Sequence, residues 1–157
     1  MAIIVDINCL GYVFNSSDQR HDDFEPIKAF VTKGKGALVF GGSKYKEELS
    51  LMSKYTGLIN NLRSQGRVKF INDEIVDAHT ERVRKATEGT DCDDPHIIGI
   101  VAASNCRLLC SVDQRSYPYI KDKKLYPKRE SSPPTIYKGR GNVGVLKQQR
   151  AKLRNAY

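Results

Sequence analysis

The chain has no cysteine pair at CxxC spacing and no set of cysteines and histidines at zinc-ligand spacing. Its four cysteines, Cys9, Cys92, Cys106 and Cys110, are therefore expected to be reduced thiols of a cytoplasmic protein. No stretch approaches the roughly 18–20 apolar residues of a membrane span, which excludes an integral membrane helix and any membrane partner that depends on one. The opening MAIIVDINCL lacks a positive n-region and a long apolar h-region, so no secretory signal is expected. No GxxxxGK[ST] phosphate loop is present, and GRGNVG at 139–144 follows no clear strand, which makes it a poor dinucleotide fingerprint. A haloacid-dehalogenase-like phosphatase would want two aspartates around the first strand end, where this chain reads Asp6-Ile7-Asn8. Serine or cysteine nucleophile schemes lack a convincing histidine. His21 lies in a polar loop, His79 on a helix's apolar side as a packed residue, and His96 beside a helix cap.

What is present suffices for one domain. The 157 residues, 39% of them apolar and 28% charged, can bury a core without disulfides or structural metal. The net charge of +8 is unevenly spread. Residues 121–157 hold eleven Lys and Arg against two acids, Asp122 and Glu130, a net +9; the first 120 residues come to −1. A near-neutral body with a basic tail favours a polyanion as partner, or leaves a solvated tail.

Four short apolar runs, at 2–5, 37–40, 68–71 and 107–112, read as buried strands of a parallel sheet covered on both faces. Helical spacing lies between them. Phe24 to Val31 is followed by Gly34 and Gly36 as a stop. Lys44 to Arg63 carries Tyr45, Leu49, Met52, Tyr55, Ile59 and Leu62, with Gly57 as a point of bending. Asn72 to Thr87 opens on a cap residue, and Asp94-Pro95 opens a helix to Ala103. The alternation predicts a doubly wound α/β domain with a mostly parallel sheet. Residues 114–142 hold six Pro or Gly and read mostly as loop, with a short edge strand at 135–137. Val143 to Ala156 reads as a weak basic helix with few apolar residues.

In open α/β sheets, ligands bind beyond the carboxyl ends of the strands. Asp6 follows the first strand and Asp113 the fourth; Asp94 precedes the helix before that strand, and Glu48 lies early in the helix after the second. Taken singly, Asp94 reads as a cap and Glu48 as a solvated residue. Gathered in one crevice, the four would repel one another and need a counter-cation or protons. Oxygen ligands of this kind suit Mg²⁺ or Mn²⁺, and carboxylate-held divalent ions recur in phosphodiester hydrolysis.

The same residues resemble the PIN-domain nuclease family. IIVDIN is similar to its strand followed by Asp-x-Asn, and GGSKYKEEL to its second strand turning into a helix with a glutamate, here Glu48. DDPHIIGIVAASNCRLL resembles the stretch of acid, helix and strand, with Asp94 as the acid, and CSVDQRSY the closing (Thr/Ser)-x-Asp. The resemblance spans about residues 2–117, leaving 118–157 as a basic, loop-rich extension. It implies a PIN-like three-layer α/β/α fold and a divalent-metal-dependent endoribonuclease. Asp6, Glu48, Asp94 and Asp113 would hold one or two Mg²⁺ or Mn²⁺ ions, with Asn8 and Ser111 as supporting residues. Small members of this kind include toxins neutralised by an antitoxin protein. A PIN-like nuclease of structured DNA and a non-cutting RNA- or protein-binding scaffold are the alternatives. The tail residues Lys147, Arg150, Lys152 and Arg154 are expected to contact RNA phosphates. The competing expectation is that the same helix docks a partner or a second subunit through Val143, Leu146 and Leu153.

Overall fold

The computed structural model describes residues 1–147 and 152–157. Five strands form one sheet: β1 (Ala2–Val5), β2 (Ala37–Gly41), β3 (Val68–Ile71), β4 (Leu108–Cys110) and β5 (Thr135–Tyr137). Their order is β3-β2-β1-β4-β5, and every pairing is parallel. Helices flank the sheet in a three-layer α/β/α arrangement: α1 (Leu10–Phe14), α2 (His21–Thr32), α3 (Ser43–Ser50), α4 (Thr56–Ser64), α5 (Asp73–Ala86), α6 (Pro95–Ser104) and α7 (Tyr117–Ile120). The continuous apolar runs of β1, β2 and β4 are buried but for the half-buried Ala2, as strands covered on both faces must be. Among the described residues no helix is long and apolar enough to cross a membrane. The four cysteines form no disulfide, and Cys9, Cys106 and Cys110 are buried.

The chain builds outward from β1 to β2 and β3, then returns through α5 and α6 to β4 on the other side of β1. The order therefore reverses between β1 and β4. At such a switch point the connections leave in opposite directions and open a crevice at the carboxyl ends of the strands.

Several local features depart from the sequence reading. The helix expected over 44–63 is broken: α3 ends at Ser50, Leu51 is 82% exposed, and a 3-10 turn at Ser53–Tyr55 precedes α4. The break falls at Leu51–Met52, not at Gly57, because Met52 leaves helical geometry (φ −107°, ψ 56°). The basic helix expected from Val143 to Ala156 is not formed at its two described ends, and residues 148–151 lie outside the described residues. Arg140–Lys147 is a kinked 3-10 segment, and near the C-terminus Ala156 forms an isolated antiparallel bridge to Ile71 of β3. There Asn72 N donates to Asn155 O at 2.9 Å and Tyr157 N to Phe70 O at 2.8 Å. Leu146 packs into the core while Val143 is exposed, so the two do not form one docking face. By contrast, the short edge strand expected at 135–137 is present as β5, which closes the other edge of the sheet.

Candidate active site

Asp6 sits one residue past β1, where its own N–H still donates to Cys110 O of β4 at 3.0 Å. That bond ties it to the switch point. Tyr45, wholly buried on α3, donates its hydroxyl to Val5 O at 2.6 Å and fixes the strand end from behind. Asp6 is 8% exposed, and its Oδ1 accepts from Asn8 N at 3.3 Å. Asn8 thus supports Asp6 through its backbone.

Glu48 lies on α3, whose start is clamped to α5. Gly42 N donates to Asp73 Oδ1 and Ser43 N to Asp77 Oδ1, both at 2.9 Å, and Lys46 Nζ meets Asp73 Oδ2 at 2.6 Å. The α5 carboxylates answer the unpaired amides of the helix start. Gly42 has φ +87°, and a Cβ there would stand 2.5 Å from Val76 Cγ1, so the strand-to-helix turn needs glycine. Glu48 is half-buried while neighbouring Glu47 is exposed. Its Oε2 stands 3.4 Å from Nε2 of buried His96, and Lys44 Nζ lies 4.0 Å from Oε1. His96 is therefore a partner of Glu48, a role that its position beside a helix start did not suggest.

Asp94 precedes α6 at the cap position, yet its side chain makes no capping bond. Its acidic neighbours are otherwise engaged: Asp93 pairs with Arg115 at 3.4 Å, and Asp91 accepts a hydrogen bond from Tyr119. Asp113 accepts from Arg115 N at 3.2 Å and from Ser116 Oγ at 2.8 Å, while Arg115 Nε stands 3.6 Å away. Ser111, buried, accepts Asp113 N on its Oγ at 3.3 Å and so shapes the loop that presents the carboxylate.

The four acids share one electrostatic environment. Burial pushes the Asp6 carboxyl up to about 6; the Asn8 N–H pulls the other way, and Asp94, Glu48 and Asp113 each add to the rise. Asp94 is raised too, by burial first and then, against the pull of His96, by Asp113, Glu48 and Asp93. Burial lowers His96, with Glu48 and Asp94 opposing. Asp6 and Asp94 thus feel the charge of the neighbouring acids, which a cation between them would relieve. The donors are all hard oxygens, the kind that Mg²⁺ and Mn²⁺ take. The fit is one of donor chemistry and charge. Among the described residues no three or more His, Cys, Asp or Glu side chains are grouped so that they could hold a metal ion as they stand.

The tail residues lie elsewhere. Lys152 lines a cavity of about 400 Å³ with Ala2 and Ala37, at the starts of β1 and β2. Arg154 N donates to Ser104 O at the end of α6. Both are thus at the opposite end of the sheet from Asp6 and Asp113. Lys147 is exposed at the end of the 3-10 segment, and Arg150 falls outside the described residues. A basic cluster that the sequence reading passed over, Arg20, Lys121 and Lys138, lines a cavity beside Asp113. No regular spacing links these three, so no sequence pattern could have found them.

No family model matches the chain, and no curated protein or solved structure matches it either.

Proposed function

We propose that this protein is a divalent-metal-dependent endoribonuclease. One observation carries the reading: Asp6, Glu48, Asp94 and Asp113 come from four separate segments, yet the last three raise the buried carboxyl of the first. Crowded acids at the switch point of a parallel sheet cost stability, and a cation-dependent site is a reason to keep them. Asp6, Glu48, Asp94 and Asp113 would hold Mg²⁺ or Mn²⁺. The chemistry such an ion supplies is a lowered pKa for water and stabilisation of negative charge at phosphorus. Around it, His96 orients Glu48, Ser111 sets the loop of Asp113, and the Asn8 N–H steadies Asp6. RNA as the substrate, and a neutralising antitoxin as a partner, rest on the resemblance of the four segments to PIN-domain nucleases.

Purified protein with Mn²⁺, given labelled tRNA, mRNA and single-stranded DNA, tests the reading. RNA should be cut internally, and EDTA should stop the reaction. An intact substrate at all metal concentrations would remove the nuclease assignment.

A further inference from the structure

We propose that Arg20, Lys121 and Lys138 form a phosphate cradle that seats the backbone of the nucleic-acid strand entering the carboxylate crevice. The substrate side of this inference rests on the nuclease reading, but strand binding is measurable without any cutting.

The three cations line a cavity of about 600 Å³ together with Val112, Gln114 and Tyr117. Val112 and Gln114 flank Asp113 in the chain, so the cavity borders the candidate active site. None of the three cations forms an ion pair among the described residues. They are held in place by other means. The Arg20 guanidinium lies 4.6 Å from the centroid of the Tyr12 ring and 5.6 Å from that of Phe24. Lys138 Nζ stands 4.7 Å over the ring of Tyr117. Lys121 Nζ donates to Pro134 O at 2.6 Å. Cation–π and carbonyl contacts orient a charge without neutralising it. Among the described residues, no carboxylate therefore pairs with any of the three charges gathered here. Lys121 shows the consequence: burial lowers its pKa, and the charges of Lys138 and Arg107 lower it further.

An anion at this place would relieve the repulsion. The surroundings favour a chain over a small ion. A second cavity of about 390 Å³, lined by Lys138, Gly139, Gly141 and Asn142, shares Lys138 with the first. The two cavities adjoin at Lys138, and the first of them borders Asp113. A phosphodiester chain, with a phosphate at each nucleotide, can occupy both. Its approach also needs this cradle, because the carboxylates next to it repel phosphate. Contacts of this kind fix register and orientation and carry no base preference.

The test is binding of a short fluorescent single-stranded RNA in EDTA, at several salt concentrations. Wild type is compared with the double variant Arg20→Gln/Lys138→Gln and with Asp94→Asn. The double variant should bind about tenfold more weakly or worse. Its log K against log salt slope should be shallower by about 1.4, since each phosphate contact on a single strand contributes roughly 0.7. Asp94→Asn should bind at least as well as wild type. Unchanged affinity and slope in a folded double variant overturn the cradle. Loss of binding in the double variant alongside a wild type that never cuts RNA upholds the cradle and rejects the nuclease. Should the double variant unfold, acetylation of native protein decides: RNA should shield Lys121 and Lys138 but not Lys33 or Lys35. Absent shielding overturns the proposal. Shielding by inorganic phosphate but not by RNA assigns a free-anion site and overturns it equally.

Discussion

Asp6 carries an unfavourable charge that the fold retains. Its carboxyl ionises near 3.8 in a free chain and near 6 in this fold. Between those values the folded protein binds the extra proton, so stability falls as pH rises through that window and stays reduced above it. A shift of this size corresponds to about 3 kcal/mol. Asp6→Asn should therefore raise urea stability at pH 7.5 by up to about 3 kcal/mol, with the gain shrinking to nothing below pH 4. A difference between the two proteins that does not change with pH would refute this account of the crevice. His96 offers a second check. Freed from its partner, Glu48 loses its orientation, so His96→Gln should cut RNA about tenfold to a hundredfold more slowly while staying folded, measured under single-turnover conditions. At this scale the sequence was partly legible. Asp94 stood out by the Pro95 and the apolar helix after it, and Asp91 and Asp93 turn out to be engaged with Tyr119 and Arg115. The His96–Glu48 contact was not legible, because it joins residues brought together only by the packing of α3 near α6.

Elements hold these residues through close approach. Where α5 meets α6, a Cβ at Gly99 would stand 2.2 Å from Thr80 Oγ1 and 3.0 Å from Thr80 N. Backbone cannot yield as a side chain can, so Gly99→Ala should push the helices apart. It should cost about 1–3 kcal/mol in chemical denaturation and displace Asp94 at the start of α6. A variant as stable as wild type would mean that the helices separate freely. The C-terminal residues act on the opposite edge. Asn155 and Tyr157 complete backbone bonds with Asn72 and Phe70, and Asn155 Nδ2 donates to Ala103 O at 2.8 Å. Deleting 152–157 should lower the melting temperature and promote self-association, since β3 would become an open edge. Light scattering of the truncated protein checks the second effect. The strands were legible because fully covered strands must be continuously apolar. The break after α3 was not, because Tyr45, Leu49, Met52, Tyr55, Ile59 and Leu62 keep helical spacing across it. Nor was the docking of residues 154–157, since three backbone bonds to distant segments leave no mark in composition.

At the scale of the whole molecule, charge and topology divide the protein into two ends. Asp6 and Asp113 mark the carboxyl ends of the strands, with Arg20, Lys121 and Lys138 beside them. Lys152 and Lys69 lie together at the start of β1 and β2. The basic excess of the last 37 residues, visible in the sequence, is thus distributed over both ends, and only the fold says which cations neighbour the carboxylates. The proposed function requires Asp6, Glu48, Asp94 and Asp113 to act as one cation-dependent cutting site. The direct measurement is single-turnover cleavage of labelled RNA in Mn²⁺ by wild type, Asp6→Asn and Asp94→Asn, with folding of each checked by circular dichroism. Wild type should cut and neither folded variant should. Cutting at the wild-type rate by either one would contradict that requirement.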